Sequence, residues 1–161
     1  MHHGFVHLQL KENGEWDRNE AKYQPILALS DRGKTLCWEK IKRKMAIYKD
    51  WPVLHYGETE AISLLRLAKS QGAEDLEIKN LLNQFIDIHA RLRVNWRLPL
   101  NSYGLKTVAT WTSFKWHQPG LDGSRALLWW RQWKGKETNK YRSNLLKWLF
   151  RYNKDDCLAT W

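Results

Sequence analysis

The stretch that most constrains this chain lies near its C-terminus, where one face of a helix ends in an acid. Apolar side chains recur there at i, i+3, i+4 and i+7, at Leu145, Trp148, Leu149 and Tyr152. The next position on that face is Asp156. A half-buried acid needs a hydrogen-bonding partner, a cation or a metal ion. The alternative is that the helix has reached solvent by Asp156, and helix geometry alone favours that alternative.

Several motifs carry a resemblance to a nuclease family. Tyr152-x-x-x-Asp156 is similar to the last motif of ribonuclease H-like exonucleases that use four acidic residues. Matches in family order lie at residues 54–60, 85–88, 98–109 and 152–161, with His3-Gly4 as an additional short match. Over roughly residues 3–161, the chain resembles the C-terminal ribonuclease H-like (YprB-like) domain of the RecB-like nuclease family.

The resemblance implies an α/β fold, namely a ribonuclease H-like mixed sheet flanked by helices, in a single domain over residues 1–161. The first strand of that sheet is central and carries an Asp-x-Glu pair, which has no counterpart here. Glu15-Trp16-Asp17 has the required spacing, but it lies at a predicted hairpin turn. We therefore expect a fragment that is cut at its N-terminus and also at its C-terminus. Residues 4–11 would then pair with the strand at 52–56, or the sheet would keep open edges.

Local patterns predict the elements around these motifs. Residues 4–11 and 22–29, on either side of the Asn13-Gly14 turn signal, are expected to form an antiparallel pair. Short strands are expected at 52–56 and at 85–88, the second continuing through residue 93. Helices are predicted over about 32–48, from 60, over 75–84, 100–111 and 126–133, and from about Thr138. Asp31 and Asp75 are the predicted N-caps.

The resemblance also implies a site that hydrolyses phosphodiesters with two divalent ions, Mg²⁺ or Mn²⁺. Glu60 would bind metal, Asp156 would be the second metal ligand, and Tyr152 would orient the attacking water. Asp87, an acid inside an apolar run, would support the site or cap a helix. Alternatively, Glu58 and Glu60 bind no metal and only interact favourably with the positive N-terminal end of the helix dipole. Because two acids hold two divalent ions poorly, we expect the chain alone to be inactive or nearly so.

The positive charge of the chain indicates a polyanionic partner. It has 27 Lys and Arg against 17 Asp and Glu, a net charge of +10, which favours nucleic acid, DNA or RNA. The predicted contacts are Lys40, Lys42, Arg43, Lys44, Lys106 and Arg131. A solvated helix face explains the cations at 40–44 equally well. Most of the 11 tryptophans are expected in the core, and a few beside cations, as in residues 129–134, could stack on bases.

Three function classes follow from these patterns. The first is a nuclease-related domain, which a helicase or a further nuclease domain would accompany in the complete protein. The second is a non-catalytic nucleic-acid-binding module, and the third is a helical scaffold piece that buries its tryptophans against a partner. We find no apolar run long enough for a membrane span, and no signal peptide is visible. Cys37 and Cys157 lack metal-site spacing and indicate a reducing, cytoplasmic environment.

Overall fold

The computed structural model describes residues 2–8, 11–16, 21–135 and 140–161. The strands in these ranges are β1 (His2–His7), β2 (Lys22–Leu27), β3 (Val53–His55) and β4 (Phe85–Asp87). The helices are α1 (Asp31–Ile47), α2 (Thr59–Ser70), α3 (Asp75–Leu82), α4 (Ile88–Asn95), α5 (Leu105–Trp111), α6 (Gly123–Gly135) and α7 (Lys140–Thr160). Asp17 and the helix start near Thr138 lie outside the described residues, so the predictions made for them stay predictions.

The fold is mixed α/β, as expected, with two small sheets in the described residues. β1 pairs with β2, which confirms that the two predicted strands are partners, and β3 pairs with β4. In the described part of residues 4–11, no residue pairs with β3. The expectation that these residues pair with the strand at 52–56 is therefore wrong. β3 and β4 run parallel, with His55 opposite Asp87. Parallel strands need a crossover connection; α2 and α3 provide it, so both strands end at one edge.

Two compact units make up the chain. Unit 1 comprises Met1–His3, Ile26–Thr112 and Thr160–Trp161, and unit 2 comprises Gly4–Pro25 and Ser113–Ala159. The single domain over the whole chain stays a prediction. None of the described helices combines the length and the apolar content needed to cross a bilayer.

The core of unit 1 is formed by three helices. Its buried side chains include Cys37, Trp38, Ile41 and Met45 from α1, Leu64, Leu67 and Ala68 from α2, and Ile78 and Leu81 from α3. The α1 residues follow helical spacing, which explains why one face of that helix is buried. Ile41 and Leu67 have no exposed surface. The packing of α2 in this core therefore also fixes the position of its first turn, which follows β3.

The core of unit 2 lies between α6 and α7. Trp129 and Trp133 of α6 are buried together with Leu145 and Leu149 of α7. Leu145 has no exposed surface, which confirms the apolar face predicted for the last helix. Burial of a side chain of this size contributes about 1.5–3 kcal/mol, so these four residues hold α7 firmly.

Two predicted helix caps are wrong by one residue. Ser30 is the N-cap of α1, because its Oγ accepts a hydrogen bond from Gly33 N at 3.0 Å. Asp31 instead lies in the first turn of α1. Glu74 is the N-cap of α3, and Asp75 lies in the first turn. Ser and Asp cap helices about equally well, so the sequence could not separate the two neighbours at the start of α1.

Two other predicted elements also change. Ile88–Asn95 is a helix and not a strand that continues through residue 93, because the Asp87 side chain caps a helix there by accepting from Ala90 N. α5 starts at Leu105 and not at residue 100. Ser102 Oγ accepts a hydrogen bond from Gly104 N at 3.1 Å, and such local side-chain bonds compete with helix formation.

Candidate active site and nucleic-acid interface

The carboxyl ends of β3 and β4 bring three ionisable side chains near one another in unit 1. β3 ends at His55 and β4 at Asp87, which are register partners. Gly57 turns the chain away from β3 with a φ of +84°, a conformation that favours glycine. α2 then starts, so Glu60 lies in its first turn, within electrostatic reach of His55 and Asp87. Ligands of α/β proteins commonly bind outside the carboxyl ends of parallel strands.

Asp87 is held by backbone amides. Its Oδ1 accepts hydrogen bonds from Gly57 N at 3.0 Å and from Ala90 N at 3.2 Å. Burial opposes its ionisation, but the amides and the nearby His55 outweigh burial and lower the pKa of Asp87 below its usual value. Asp87 is therefore a carboxylate that fixes both the Gly57 turn and the start of α4. Of the two roles predicted for Asp87, the helix cap is the one seen here.

Glu60 has the opposite electrostatic environment. The surrounding protein desolvates its carboxylate and raises the pKa of Glu60, and the negative charge of Asp87 raises it further. The backbone of Glu60 and the nearby His55 oppose this rise. The residue keeps access to solvent, as a ligand-binding acid must. Perturbed carboxylates favour a functional site, whereas a place in the first turn also suits the helix dipole, so both interpretations of Glu60 stand.

Sequence patterns assigned no role to His55, yet the structure buries it at this edge, with 8% of its surface exposed. Its Nδ1 lies 2.6 Å from Gly57 O, so Nδ1–H donates a hydrogen bond to that carbonyl. The Phe85 ring lies against the imidazole, with centroids 5.4 Å apart. A histidine that ends an apolar strand is the signal that could have identified it.

Two tyrosines connect the motif at residues 54–60 with the motif at 98–109. Tyr56 OH donates a hydrogen bond to Tyr103 O at 2.5 Å, and Tyr103 OH accepts one from Leu98 N at 2.8 Å. These two motifs, which are separate along the chain, are therefore neighbours in unit 1.

Tyr152 and Asp156 lie on α7 in unit 2. Tyr152 packs at the edge of the core between α6 and α7. Desolvation, together with the charges of Asp156 and Asp122, raises the pKa of Tyr152 to about 12. Tyr152 is hence a neutral phenol near pH 7, able to donate a hydrogen bond to water. Asp156 is partly exposed, and Asp122, whose Oδ1 accepts from Arg125 N at 3.0 Å, is a second acid near Tyr152.

The buried acid of α7 is Asp155, which the sequence patterns missed. It is 2% exposed, and its oxygens accept hydrogen bonds from His117 N at 2.9 Å and from His117 Nδ1 at 2.7 Å. The sequence pattern favours Asp156 because it lies four residues after Tyr152. Asp155 lies three residues after Tyr152 and seven after Trp148, which is equally helical spacing. This spacing is the sequence signal that could have identified Asp155 as the buried acid.

The two metal ligands predicted from the sequence, Glu60 and Asp156, belong to different units. Among them, no three His, Cys, Asp or Glu side chains gather in a way that could hold a metal ion. Magnesium and manganese need several oxygen ligands. Glu60 belongs to unit 1 and Asp156 to unit 2, and their joint role as metal ligands stays a prediction.

The predicted nucleic-acid contacts on α1 differ in their environments. Lys40 and Arg43 are exposed. Lys42 instead pairs with Glu39 at 2.9 Å and lies 3.8 Å from Glu77. Of these three cations, Lys40 and Arg43 are the better candidates for phosphate contact.

The remaining predicted contacts also separate into two groups. Lys44 lies over the Tyr48 ring, 5.3 Å from its centroid, and burial lowers the pKa of Lys44. Lys106 is half-buried, whereas Arg131 is exposed. Arg131 is therefore the more accessible member of the predicted pair outside α1.

The tryptophans of residues 129–134 belong to the core and do not form an open stacking surface. Trp129 and Trp133 are buried, and Trp130 stacks on Trp133 with centroids 5.4 Å apart. Lys134 Nζ lies 5.2 Å from the Trp130 centroid, and the Arg142 guanidinium lies 4.6 Å from that of Trp133. These cations cover rings of the core.

Comparison with known proteins identifies the superfamily. A family model described as RNase H superfamily matches residues 13–161. Because the match covers most of the sequence, the chain belongs to the RNase H superfamily. No curated protein and no solved structure matches it significantly. Membership supports a nuclease-like fold with nucleic acid as the substrate class, and nuclease domains of this kind generally use divalent metal ions.

Proposed function

We propose that this RNase H superfamily domain binds nucleic acid and that the chain alone hydrolyses it weakly or not at all. The observation that carries the proposal is the family match over residues 13–161. The net charge of +10 supports a polyanionic ligand. Exposed cations such as Lys40, Arg43 and Arg131 can contact phosphates. The order of the motifs supports a finer assignment to relatives of four-acid 3′-to-5′ exonucleases of the RecB-like (YprB-like) family.

The roles of individual residues follow the same resemblance. In an active relative, Glu60 and Asp156 would bind Mg²⁺ or Mn²⁺, and Tyr152 would orient the attacking water. Asp87 would hold the turn from which the Glu60 helix starts. The solvent access of Glu60 and the neutral phenol of Tyr152 support these roles.

The test of hydrolysis is a nuclease assay on single-stranded DNA and RNA with Mn²⁺ and with Mg²⁺. We expect little or no cleavage by the chain. Robust cleavage that Asp156→Ala abolishes, while the exposed first-turn variant Asp75→Ala retains it, would contradict the proposed inactivity. In that case Tyr152→Phe should slow turnover more than it weakens binding.

A purely non-catalytic nucleic-acid-binding module is the second candidate. The exposed cations favour it, because they need no metal ion to contact phosphates. Its affinity should fall steeply with salt, with a slope of about −0.7 per neutralised phosphate on a single strand, and should not change when EDTA is added. If the chain does not bind nucleic acid, or binds it without dependence on salt, both the nuclease-related domain and the binding module are wrong. That result would favour a helical scaffold piece.

The two cysteines bear on the proposed cellular setting. Cys37 and Cys157 form no disulfide, which supports a reducing, cytoplasmic location. A helicase or a further nuclease domain is the proposed partner in the complete protein. Copurification from cells treated with nuclease would test a protein partner apart from shared nucleic acid.

A further inference from the structure

An exposed tryptophan lies beside two arginines where α4 ends. Trp96 is the C-cap of α4 and is 57% exposed. Arg93 and Arg97 are exposed as well. In the part of the chain that the structure describes, no ring or cation covers Trp96, and no carboxylate lies within salt-bridge distance of either arginine. One indole face and two guanidinium groups are thus open to a ligand.

The three residues are close together along the backbone. Trp96 N donates to Leu92 O at 3.0 Å and so closes the last turn of α4, while the backbone of Trp96 itself is extended, with φ −131° and ψ 146°. Arg93 lies three residues before Trp96, in the last turn of α4. Arg97 is the next residue, with its Cα about 3.8 Å away. Arg91, by contrast, lies about 200° around the helix from Arg93.

The segment that carries Trp96 is anchored. Tyr103 OH accepts a hydrogen bond from Leu98 N at 2.8 Å and donates one to Trp96 O at 3.4 Å. Tyr103 O accepts from Tyr56 OH, which follows β3. An exposed aromatic side chain on a fixed backbone loses little conformational freedom when a ligand binds.

We infer that Arg93, Trp96 and Arg97 form an anchoring site for single-stranded nucleic acid. One base stacks on Trp96 and the arginines contact the adjacent phosphates, a combination that aromatic and cationic side chains commonly provide for single strands. In a duplex the bases stay stacked on one another, so a duplex does not offer a free base face together with the adjacent phosphates. The inference deepens the proposed function and rests on it, because it names the form of the ligand and the residues that hold it.

Helix α4 connects this site with the edge formed by the carboxyl ends of β3 and β4. α4 begins at its cap Asp87 and leads to Trp96. Nine residues at a rise of 1.5 Å span about 13 Å, or about four nucleotides at the stacked spacing of 3.4 Å. A strand anchored at Trp96 can therefore extend to the edge where Asp87 and His55 lie.

The test compares two fluorescein-labelled ligands of equal length by anisotropy: oligothymidylate, and an abasic strand with the same phosphates. Trp96→Ala should weaken binding of oligothymidylate by about 5- to 150-fold, the range for loss of one stacked base. It should leave binding of the abasic strand nearly unchanged. The matched control is Trp111→Ala, since Trp111 is 51% exposed in the same unit and should have little effect on either ligand.

The arginines are tested by charge-matched pairs of variants. Arg93→Gln with Arg97→Gln should weaken binding of both ligands and reduce the magnitude of the salt slope by about 1.4. Arg66→Gln with Arg91→Gln removes the same charge at other exposed positions and should have a smaller effect. Circular dichroism of each variant verifies folding.

The outcomes separate this inference from the proposed function. If the wild-type chain binds neither strand, both fall. If it binds oligothymidylate but Trp96→Ala binds equally well, the stacking site is wrong and the proposed function survives. If duplex DNA binds as tightly as the single strand, and with the same dependence on Trp96, the assignment to single strands is overturned.

Discussion

His117 donates two hydrogen bonds to Asp155, one from its backbone amide at 2.9 Å and one from Nδ1 at 2.7 Å. The carboxyl group is buried, whereas 60% of the His117 side chain is exposed. One acid of α7 therefore ties down the loop that precedes α6 and fixes the orientation of an imidazole in solvent. Carboxylates fix histidines in the same way in many functional sites.

Removal of this acid should destabilise unit 2. Asp155→Ala deletes both acceptors and leaves the His117 amide without its partner, so we expect a loss of about 2–4 kcal/mol in the free energy of unfolding. Asp155→Asn keeps an acceptor and should lose less. Urea unfolding measures both, with Asp156→Asn as the neighbouring control. Equal effects at positions 155 and 156 would contradict the structural role of Asp155.

Asp87 should stabilise the fold in a manner that depends on pH. Because the pKa of Asp87 is lowered in the folded state, its contribution is present above the ordinary value near 3.8 and is lost as the pH falls through the lowered value. Asp87→Ala should lose about 1–3 kcal/mol at pH 7, since a helix cap and the Gly57 bond disappear. Asp87→Asn should lose less, and its difference from wild type should shrink towards pH 3 in urea unfolding. A constant difference would contradict the assignment.

Glu60→Gln should stabilise the fold at neutral pH. The pKa of Glu60 is raised, so its charged form is disfavoured in the folded state. The gain should be present above the raised value and should disappear as the pH falls below the ordinary value near 4.5. In an Asp87→Asn background the gain should be smaller, because the charge of Asp87 is one cause of the rise. Thermal unfolding across pH measures both; a loss of stability at pH 7 would count against it.

Gly4→Ala should disturb the contact between β1 and α7 in unit 2. An added Cβ would overlap Asn153 Oδ1, the atom that accepts the Tyr23 hydroxyl at 2.9 Å. We expect a loss of about 1–3 kcal/mol, typical of overpacking. Gly123→Ala is the matched control, since nothing lies within 4 Å of its added Cβ. In the Gly4→Ala background, Asn153→Ala should cost less than it does alone; additive losses in urea unfolding would show that the two residues do not meet.

Periodic patterns predicted the parts of the fold that depend on burial. The face formed by Leu145 and Leu149 is buried, and β1 and β2 pair across the Asn13-Gly14 turn region. These features follow from spacing and turn chemistry, which a sequence displays directly. The prediction failed where one hydrogen bond decides the outcome, as at Asp87, whose cap converts a predicted strand into α4.

The candidate site was less predictable, because its geometry depends on partners that are distant in sequence. His55 is identified by its bond to Gly57 only once that turn is known. Asp155 needs His117, which lies 38 residues away. Trp96 was one indole among many, and only its exposure distinguishes it from Trp129 and Trp133. Residue types and spacing do not contain this information.

The distribution of tryptophans gives the chain two optical reporters. Trp130 and Trp133 are stacked within 18° of parallel, so their electronic transitions should couple and produce an exciton signal in circular dichroism that reports on unit 2. Trp51, Trp96 and Trp111 of unit 1 and Trp16 of unit 2 are each about half exposed, so they should emit at longer wavelength than the buried indoles and be quenched by iodide. Melting of unit 2 and the covering of exposed indoles by a ligand can therefore be followed in one sample without an added dye.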